Sequence, residues 1–272
     1  IIKIKDIFYE ASKLGNEKLL ISGGEPLIYK NLLDIIKEGK KYKWFTFINS
    51  VGYGINKKFA ESMLVSGLSA FNVSIDSPRP DVHDKLRGLP GLLNKSLHAL
   101  SIFAELRKSR KEYKNFYTNI QTIIMKNTYR DLPSLIEIGL DLEVSSFYLM
   151  YIYNYYGKDS EFILSKDQII DFKENIIPNI ISILKKRKVS NDIIKNAQKV
   201  LGNFCEDEAS GQCVGRGAER EARREMKYCA DTWFLLELYN KNERALEIFK
   251  EITEGKSRLV IPTVSILELI RL

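Results

Sequence analysis

Histidine is scarce in this chain: His83 and His98 are the whole imidazole supply. That argues against a histidine-rich zinc site and weakens any Ser-His-Asp reading, since both need an imidazole at a defined place. His98 lies between Leu97 and Leu100 in a helical pattern and reads as a packed or half-exposed helix residue. Cysteine is nearly as rare. Cys205, Cys213 and Cys229 are odd in number, so a disulfide framework is not expected. No apolar run reaches the roughly eighteen residues of a membrane span, and the opening Ile1-Ile2-Lys3-Ile4-Lys5-Asp6 lacks the layout of a signal peptide. The expectation is a cytoplasmic protein with no membrane partner. Glutamine is limited to Gln121, Gln168, Gln198 and Gln212, while Ile, Lys and Glu abound, a balance that suits a heat-adapted source.

What is present is ample for a core: 272 residues, 44% hydrophobic and 11% aromatic. The net charge is +7, and one cluster runs Lys185-Lys186-Arg187-Lys188. Such a balance permits contact with nucleic acid or phosphate without demonstrating it, because a solvated thermophile surface has the same composition.

Short apolar runs alternate with amphipathic stretches. Strands are expected at Lys18 to Ile21, Trp44 to Ile48 and Ala70 to Ile75, whose starts are 26 residues apart. Helices are expected between them, at Asn31 to Lys41 and Asn56 to Val65. A parallel return needs a helical crossover, so this alternation implies right-handed βαβ units and a parallel sheet or partial barrel. A helix from Leu92 to Lys108, a strand from Tyr117 to Met125, a helix from Leu132 to Gly139 and a strand from Ser145 to Met150 continue the series. Helical spacing then runs from Lys166 to Arg187, with Pro178 a kink or break, and from Asp192 to Leu201. A chain opening on a crossover helix, Ile2 to Leu14, is expected to lack the strand before it.

The richest chemistry sits at Ser22-Gly23-Gly24-Glu25-Pro26-Leu27, directly after the first strand. The glycines admit a ligand close to the backbone, the glutamate supplies an acceptor for an ammonium group, and the proline fixes the turn. The next strand ends in Asn49-Ser50 before the loop Val51-Gly52-Tyr53-Gly54, and the third carries Ser74 and Asp76 before His83-Asp84-Lys85-Leu86-Arg87-Gly88. Polar residues at the C-terminal ends of successive parallel strands are where barrel and open α/β sites are built. Together these motifs resemble the radical S-adenosylmethionine (SAM) superfamily over residues 1 to 200. The resemblance implies an α/β fold, a (β/α)6-type partial barrel without its first strand. It implies SAM held by Gly23, Gly24, Glu25, Pro26, Asn49, Ser50, Ser74, Asp76 and Arg87, with Glu25 orienting the amino group. The complete form would use a 4Fe-4S cluster to cleave SAM reductively and abstract hydrogen from a small-molecule or peptide substrate.

One departure from the family is conspicuous. Its C-x-x-x-C-x-x-C triad lies upstream of the Gly-Gly-Glu-Pro turn, whereas the 22 residues before Gly23 contain no cysteine. Without three thiolates the cluster has no ligands, and the chain as given is expected to be inactive in radical chemistry. Cys205 and Cys213 lie where some members begin an auxiliary-cluster domain, but plain free thiols are the alternative. Tyr148, Tyr151, Tyr153, Tyr155 and Tyr156 read either as packing, as a wall of the substrate pocket, or as a base-stacking surface.

The character of the chain changes after Gly202. The stretch from Gly211 to Glu225 is nearly devoid of apolar residues, and a linker is expected over 203–225 between a core of 1–202 and a segment of 226–272. The last segment, with strands expected at Met226 to Asp231 and Leu259 to Ile261, resembles the start of a PIN-domain toxin-type ribonuclease. That resemblance implies a truncated α/β unit in which Asp231 and Glu268, 37 residues apart, are two acids of an incomplete Mg or Mn site acting on RNA. A PIN-type ribonuclease with an unrelated N-terminal fusion, or an inert fusion remnant, are the competing readings.

Overall fold

The computed structural model describes residues 2–150, 162–209, 228–229 and 259–260, with side chains over 4–150 and 162–202. Helix α1 (Ile2–Lys13) leads into strand β1 (Lys18–Ile21), followed by α2 (Leu32–Lys41), β2 (Phe45–Ser50), α3 (Lys57–Ser66) and β3 (Leu68–Ser74). After two helices in succession, α4 (Pro80–Arg87) and α5 (Leu92–Ser109), come β4 (Tyr117–Ile123), α6 (Leu132–Asp141) and β5 (Ser146–Met150). The strands form one five-stranded sheet in sequence order, β1 to β5, with β1, β2 and β3 paired parallel. Sequential order with a helix in every connection is what crossovers of one hand produce when the chain winds in one direction.

Local chemistry sets the element ends. Asn56 caps α3 by accepting the Phe59 N–H at 2.9 Å, and Gly67 ends that helix in the left-handed region at φ 109°. Along β2 the residues Thr46, Ile48 and Ser50 are buried under the helices, while Phe45, Phe47 and Asn49 turn to the other, more open face.

The chain divides into two compact units. The described parts of one lie within Ile1–Ser74, Lys95–Asn119 and Arg220–Leu272, and those of the other within Ile75–Asn94 and Ile120–Glu219. The first is built on fully buried Ile21, Leu32, Ile36, Ile48, Met63, Phe71, Leu100 and Phe103, with the Phe71 and Phe103 rings 4.8 Å apart. The second closes on Ile124, Leu132, Ile136, Phe172, Ile180 and Leu201, which pack α6 against the later helices.

Over Lys166 to Arg187, where helical spacing with a kink or break at Pro178 was expected, the structure has two helices joined by a π-helical stretch. A capping box of Ser165 and Gln168 starts α7 (Lys166–Asp171), a π-helical stretch spans Phe172–Ile176, and α8 (Ile177–Lys186) follows. Pro178, which has no N–H to donate, sits in the first turn of α8, so the ladder widens just before it instead of breaking. Helix α9 (Asn191–Ala209) runs past Gly202, where the expected linker was to begin, and residues 210–227 lie outside the described residues. Two-residue strands β6 (Tyr228–Cys229) and β7 (Leu259–Val260) pair parallel. Asp231, Glu268, Cys213 and Tyr151 to Tyr156 lie outside the described residues, and Cys205 lies in α9. No described helix is long and apolar enough to cross a membrane.

Candidate functional site

The Gly-Gly-Glu-Pro turn follows β1 directly. Gly23 adopts φ 129°, a conformation few L side chains accept, and a Cβ placed on Gly24 would meet nothing within 4 Å. Both residues are exposed, so the backbone here stands open to an approaching group. Glu25 then caps the short 3-10 turn Pro26–Ile28, its Oε1 accepting the Leu27 N–H at 3.0 Å.

Glu25 does more than cap. Ser50 Oγ, at the end of β2, donates to Glu25 Oε1 at 2.7 Å, and the Val51 N–H donates to Oε2 at 3.0 Å. One carboxylate thereby ties the turn after β1 to the end of β2. Ser50 Oγ also accepts the Gly52 N–H at 2.9 Å, and Ser96 Oγ donates to the Val51 carbonyl at 2.6 Å, which anchors the same loop to α5. Gly52, at φ 78°, comes close enough to α5 that a Cβ would lie 3.2 Å from Ser96 Cα. A carboxylate offers about four lone-pair directions, and three are taken by the protein. The remaining one, on a half-buried side chain, suits a cationic donor.

Asn49, one residue earlier, turns to the opposite face of the sheet and stands in register with Asn72. Asn72 Nδ2 donates to Asn49 Oδ1 at 2.8 Å, and Asn119 Nδ2 donates to Asn72 Oδ1 at 2.8 Å. Ser74 is half-buried and its hydroxyl makes no hydrogen bond among the described residues.

The second unit holds the other group. Asp76 is 5% exposed; its Oδ2 pairs with Arg87 Nη2 at 2.7 Å and its Oδ1 accepts the Ile123 N–H at 3.2 Å. The Asp76 backbone N–H donates to His83 Nδ1 at 3.2 Å. His83 is fully buried and must therefore carry its proton on Nε2, which has no partner among the described residues. Burial holds its pKa below the ordinary value, with Arg87 acting in the same sense and Asp76 and Asp84 opposing. Asp84 accepts the Gly91 N–H at 2.5 Å and the Leu93 N–H at 2.9 Å, and those backbone bonds lower its pKa. It pins the connection from α4 to α5.

Beyond the motif, Ser77 Oγ donates to Asp131 Oδ2 at 2.7 Å, and Arg79 reaches the same oxygen through Nη2 at 2.9 Å. A cavity of about 470 Å³ opens beside them, lined by Arg79, Lys126, Asn127, Tyr129, Arg130, Asp131 and Gln168.

Of the residues singled out from sequence, the structure joins Glu25 to Ser50 and Asp76 to Arg87, sets Asn49 against a neighbour that sequence reasoning passed over, and leaves Gly23 and Gly24 as open backbone. Asn72, His83, Asn119, Arg79 and Asp131 were missed as members of these networks. Asn72 lay two residues before Ser74 and His83 stood at the head of the stretch that ends in Arg87-Gly88, which was the available signal. Among the described residues no group of three or more His, Cys, Asp or Glu could hold a metal ion.

Residues 2–137 match the Radical SAM superfamily. Among curated proteins the chain is 24% identical over 148 residues to the AdoMet-dependent heme synthase of Methanosarcina barkeri, covering 54% of this chain and 40% of that protein. It is 26% identical over 189 residues to the GTP 3',8-cyclase of Petrotoga mobilis, covering 65% and 54%. Both overlaps leave the chain spanning about half, or less, of the relative's own length. Among solved structures, Streptococcus suis SuiB bound to S-adenosylmethionine superposes with a TM-score of 0.53 at 16% identity, over 67% of this chain and 40% of that one. The same protein bound to the precursor peptide SuiA gives 0.54 at 16% identity, over 68% and 39%.

Proposed function

Since this chain belongs to the radical SAM superfamily, we propose that it carries the SAM-binding portion of such an enzyme's core. The observation that supports this most directly is the Glu25 carboxylate, held by Leu27, Ser50 and Val51 beside the open backbone of Gly23 and Gly24. Its remaining lone pair would receive the methionyl ammonium of SAM, and the exposed glycine backbone would lie along the amino-acid moiety. The amide of Asn49 and the unengaged hydroxyl of Ser74 would take polar groups of the rest of the molecule, while the Asp76–Arg87 pair belongs to the second unit. Pro26 and Ser50 act through Glu25, one by setting the turn and the other by orienting the carboxylate.

In the family a 4Fe-4S cluster supplies the electron that cleaves SAM. The residues of this chain do not fit that cluster, because its cysteines are 205, 213 and 229 and gaps of seven and fifteen residues separate them. The function proposed for the chain as given is therefore cofactor binding, with hydrogen abstraction from a peptide or small molecule belonging to a form that has the cluster. SuiB's peptide-bound structure makes a peptide a reasonable substrate class.

The test is calorimetric titration of the full chain with SAM and with S-adenosylhomocysteine. Binding that weakens at least about tenfold in Glu25→Ala supports the site. Absence of binding to either, in a chain that melts cooperatively, refutes it.

A second reading concerns the C-terminal segment. The parallel pairing of Tyr228–Cys229 with Leu259–Val260 suits a βαβ unit, as the PIN-like resemblance implies. Asp231 and Glu268 would be two acids toward Mg or Mn there, and two carboxylates leave a divalent ion too hydrated for efficient attack on RNA. No metal-dependent RNA cleavage is expected, and cleavage that disappears in Asp231→Asn would establish a working ribonuclease instead.

A further inference from the structure

Three asparagines on adjacent strands of the sheet form a chain with a direction. Asn119 Nδ2 donates to Asn72 Oδ1, and Asn72 Nδ2 donates to Asn49 Oδ1, each at 2.8 Å. Asn72 and Asn119 are 4% and 2% exposed, and neither leaves a buried side-chain atom unpartnered. Burying two primary amides where leucine would serve as core filler is costly unless every donor and acceptor is met. A row in which each buried amide atom has a partner therefore specifies an arrangement more than it adds stability.

What it specifies is the sense of the last amide. Asn49 is the half-buried member at the end of the row, and its Oδ1 is already occupied by Asn72. Turning the Asn49 amide over would bring its NH2 against the NH2 of Asn72, donor to donor. Its own NH2 is thus the end left for a ligand, and nothing among the described residues accepts from it.

We infer that Asn72 and Asn119 are positioning residues that fix Asn49 as a hydrogen-bond donor toward an oxygen acceptor on the ligand, such as a carboxylate, carbonyl or hydroxyl, and select against ligands presenting a donor there. The identity of that ligand as SAM rests on the function proposed above; the polarity of the row does not.

Asn72→Asp retains the shape and reverses the sense. A carboxylate at position 72 accepts from Asn119 and also demands a donor from Asn49, so Asn49 turns its oxygen outward. Two measurements on the full chain read this out. In solvent-exchange-filtered amide spectra of the wild type, the side-chain NH2 protons of Asn72 and Asn119 are expected to exchange about a hundredfold or more slowly than those of Asn49. In Asn72→Asp, the Asn49 protons should become protected by about tenfold or more. Titration with S-adenosylhomocysteine should show affinity falling about tenfold to a hundredfold in Asn72→Asp. Asn49→Asp, which leaves the buried pair untouched and replaces the outward donor by an acceptor, should lose a similar factor, and it carries the test if the variant at position 72 does not fold. Asn49 protons already protected in the ligand-free wild type, or unchanged affinity in Asn49→Asp, would overturn the inference. If the wild type binds no S-adenosylhomocysteine, the SAM reading fails, while the exchange pattern still decides whether the row has the polarity described.

Discussion

Replacing Glu25 by glutamine keeps the length and shape of the side chain and changes one acceptor into a donor. In the native arrangement Oε1 accepts from Leu27 N at 3.0 Å and Ser50 Oγ at 2.7 Å, and Oε2 accepts from Val51 N at 3.0 Å. The glutamine oxygen can satisfy either side but not both. Kept at Leu27 and Ser50, it leaves its NH2 facing the Val51 N–H; turned over, it sets its NH2 against the Leu27 N–H and takes the acceptor away from the Ser50 hydroxyl, which is 4% exposed. Hydrogen bonds to a charged acceptor contribute about 1.5–3 kcal/mol, and an unpaired buried donor costs a similar amount. One such loss, partly relieved by loop movement in this half-buried setting, comes to about 2 kcal/mol. For a chain of this size that corresponds to roughly 4–8 °C in melting temperature. Ser50→Ala should cost about 1–2 kcal/mol, since it removes one bond to Glu25 and leaves the Gly52 N–H without its acceptor. Because both changes strike the same network, the double variant should fall short of the sum by about 1 kcal/mol. The assay is urea unfolding of the four proteins, with melting curves in parallel. A Glu25→Gln shift under about 1 °C, or strict additivity with Ser50→Ala, would show that the carboxylate does not tie the β1 turn to β2.

Protonation of His83 should destabilise the fold. The folded chain holds the ring neutral below its ordinary pKa of 6.5, so on acidification the unfolded chain takes up the proton first, and stability falls as pH drops below about 6.5 toward the depressed folded value. His83→Gln, monitored by urea midpoints from pH 8 to 5, should remove that part of the slope; an unchanged slope would assign it to other groups. Gly139→Ala should destabilise by about 1–3 kcal/mol despite alanine's better helix propensity, because the added Cβ collides with the Phe147 ring. A urea midpoint equal to or above wild type would show that the ring can move aside. Anaerobic reconstitution with iron, sulfide and reductant should give no charge-transfer band near roughly 400 nm and no 5′-deoxyadenosine, since no three cysteines stand at cluster spacing. About four irons per chain together with 5′-deoxyadenosine would reveal a different ligand set.

The alternation of β1 to β5 with helices was legible in the chain because buried parallel strands and amphipathic crossovers have different apolar periods, and each period is a local property. The Gly-Gly-Glu-Pro turn was legible for the same reason: its glycines, acid and proline are contiguous, and their conformational demands can be read without knowing what surrounds them. Helix α4 was not anticipated, since Pro80 to Arg87 has little apolar character and is held by the His83 and Asp84 bonds to backbone groups on either side of it. The π-helical stretch before Pro178 was equally hidden, because periodicity locates a helix but does not say how its ladder accommodates a missing donor.

The polar networks belong to tertiary structure alone. Glu25 and Ser50 are 25 residues apart, and Asn119 is 47 from Asn72; only the strand register brings each pair within hydrogen-bond distance. Sequence by itself determined which residue types stand at the ends and along the faces of the strands, since the two-residue alternation of a strand is encoded locally. Whether Glu25 is a free acceptor or a pinned carboxylate, and which way the amide of Asn49 faces, depends on partners from neighbouring strands. The strength and direction of a hydrogen bond vary with ångström-scale distances that no one-dimensional pattern contains.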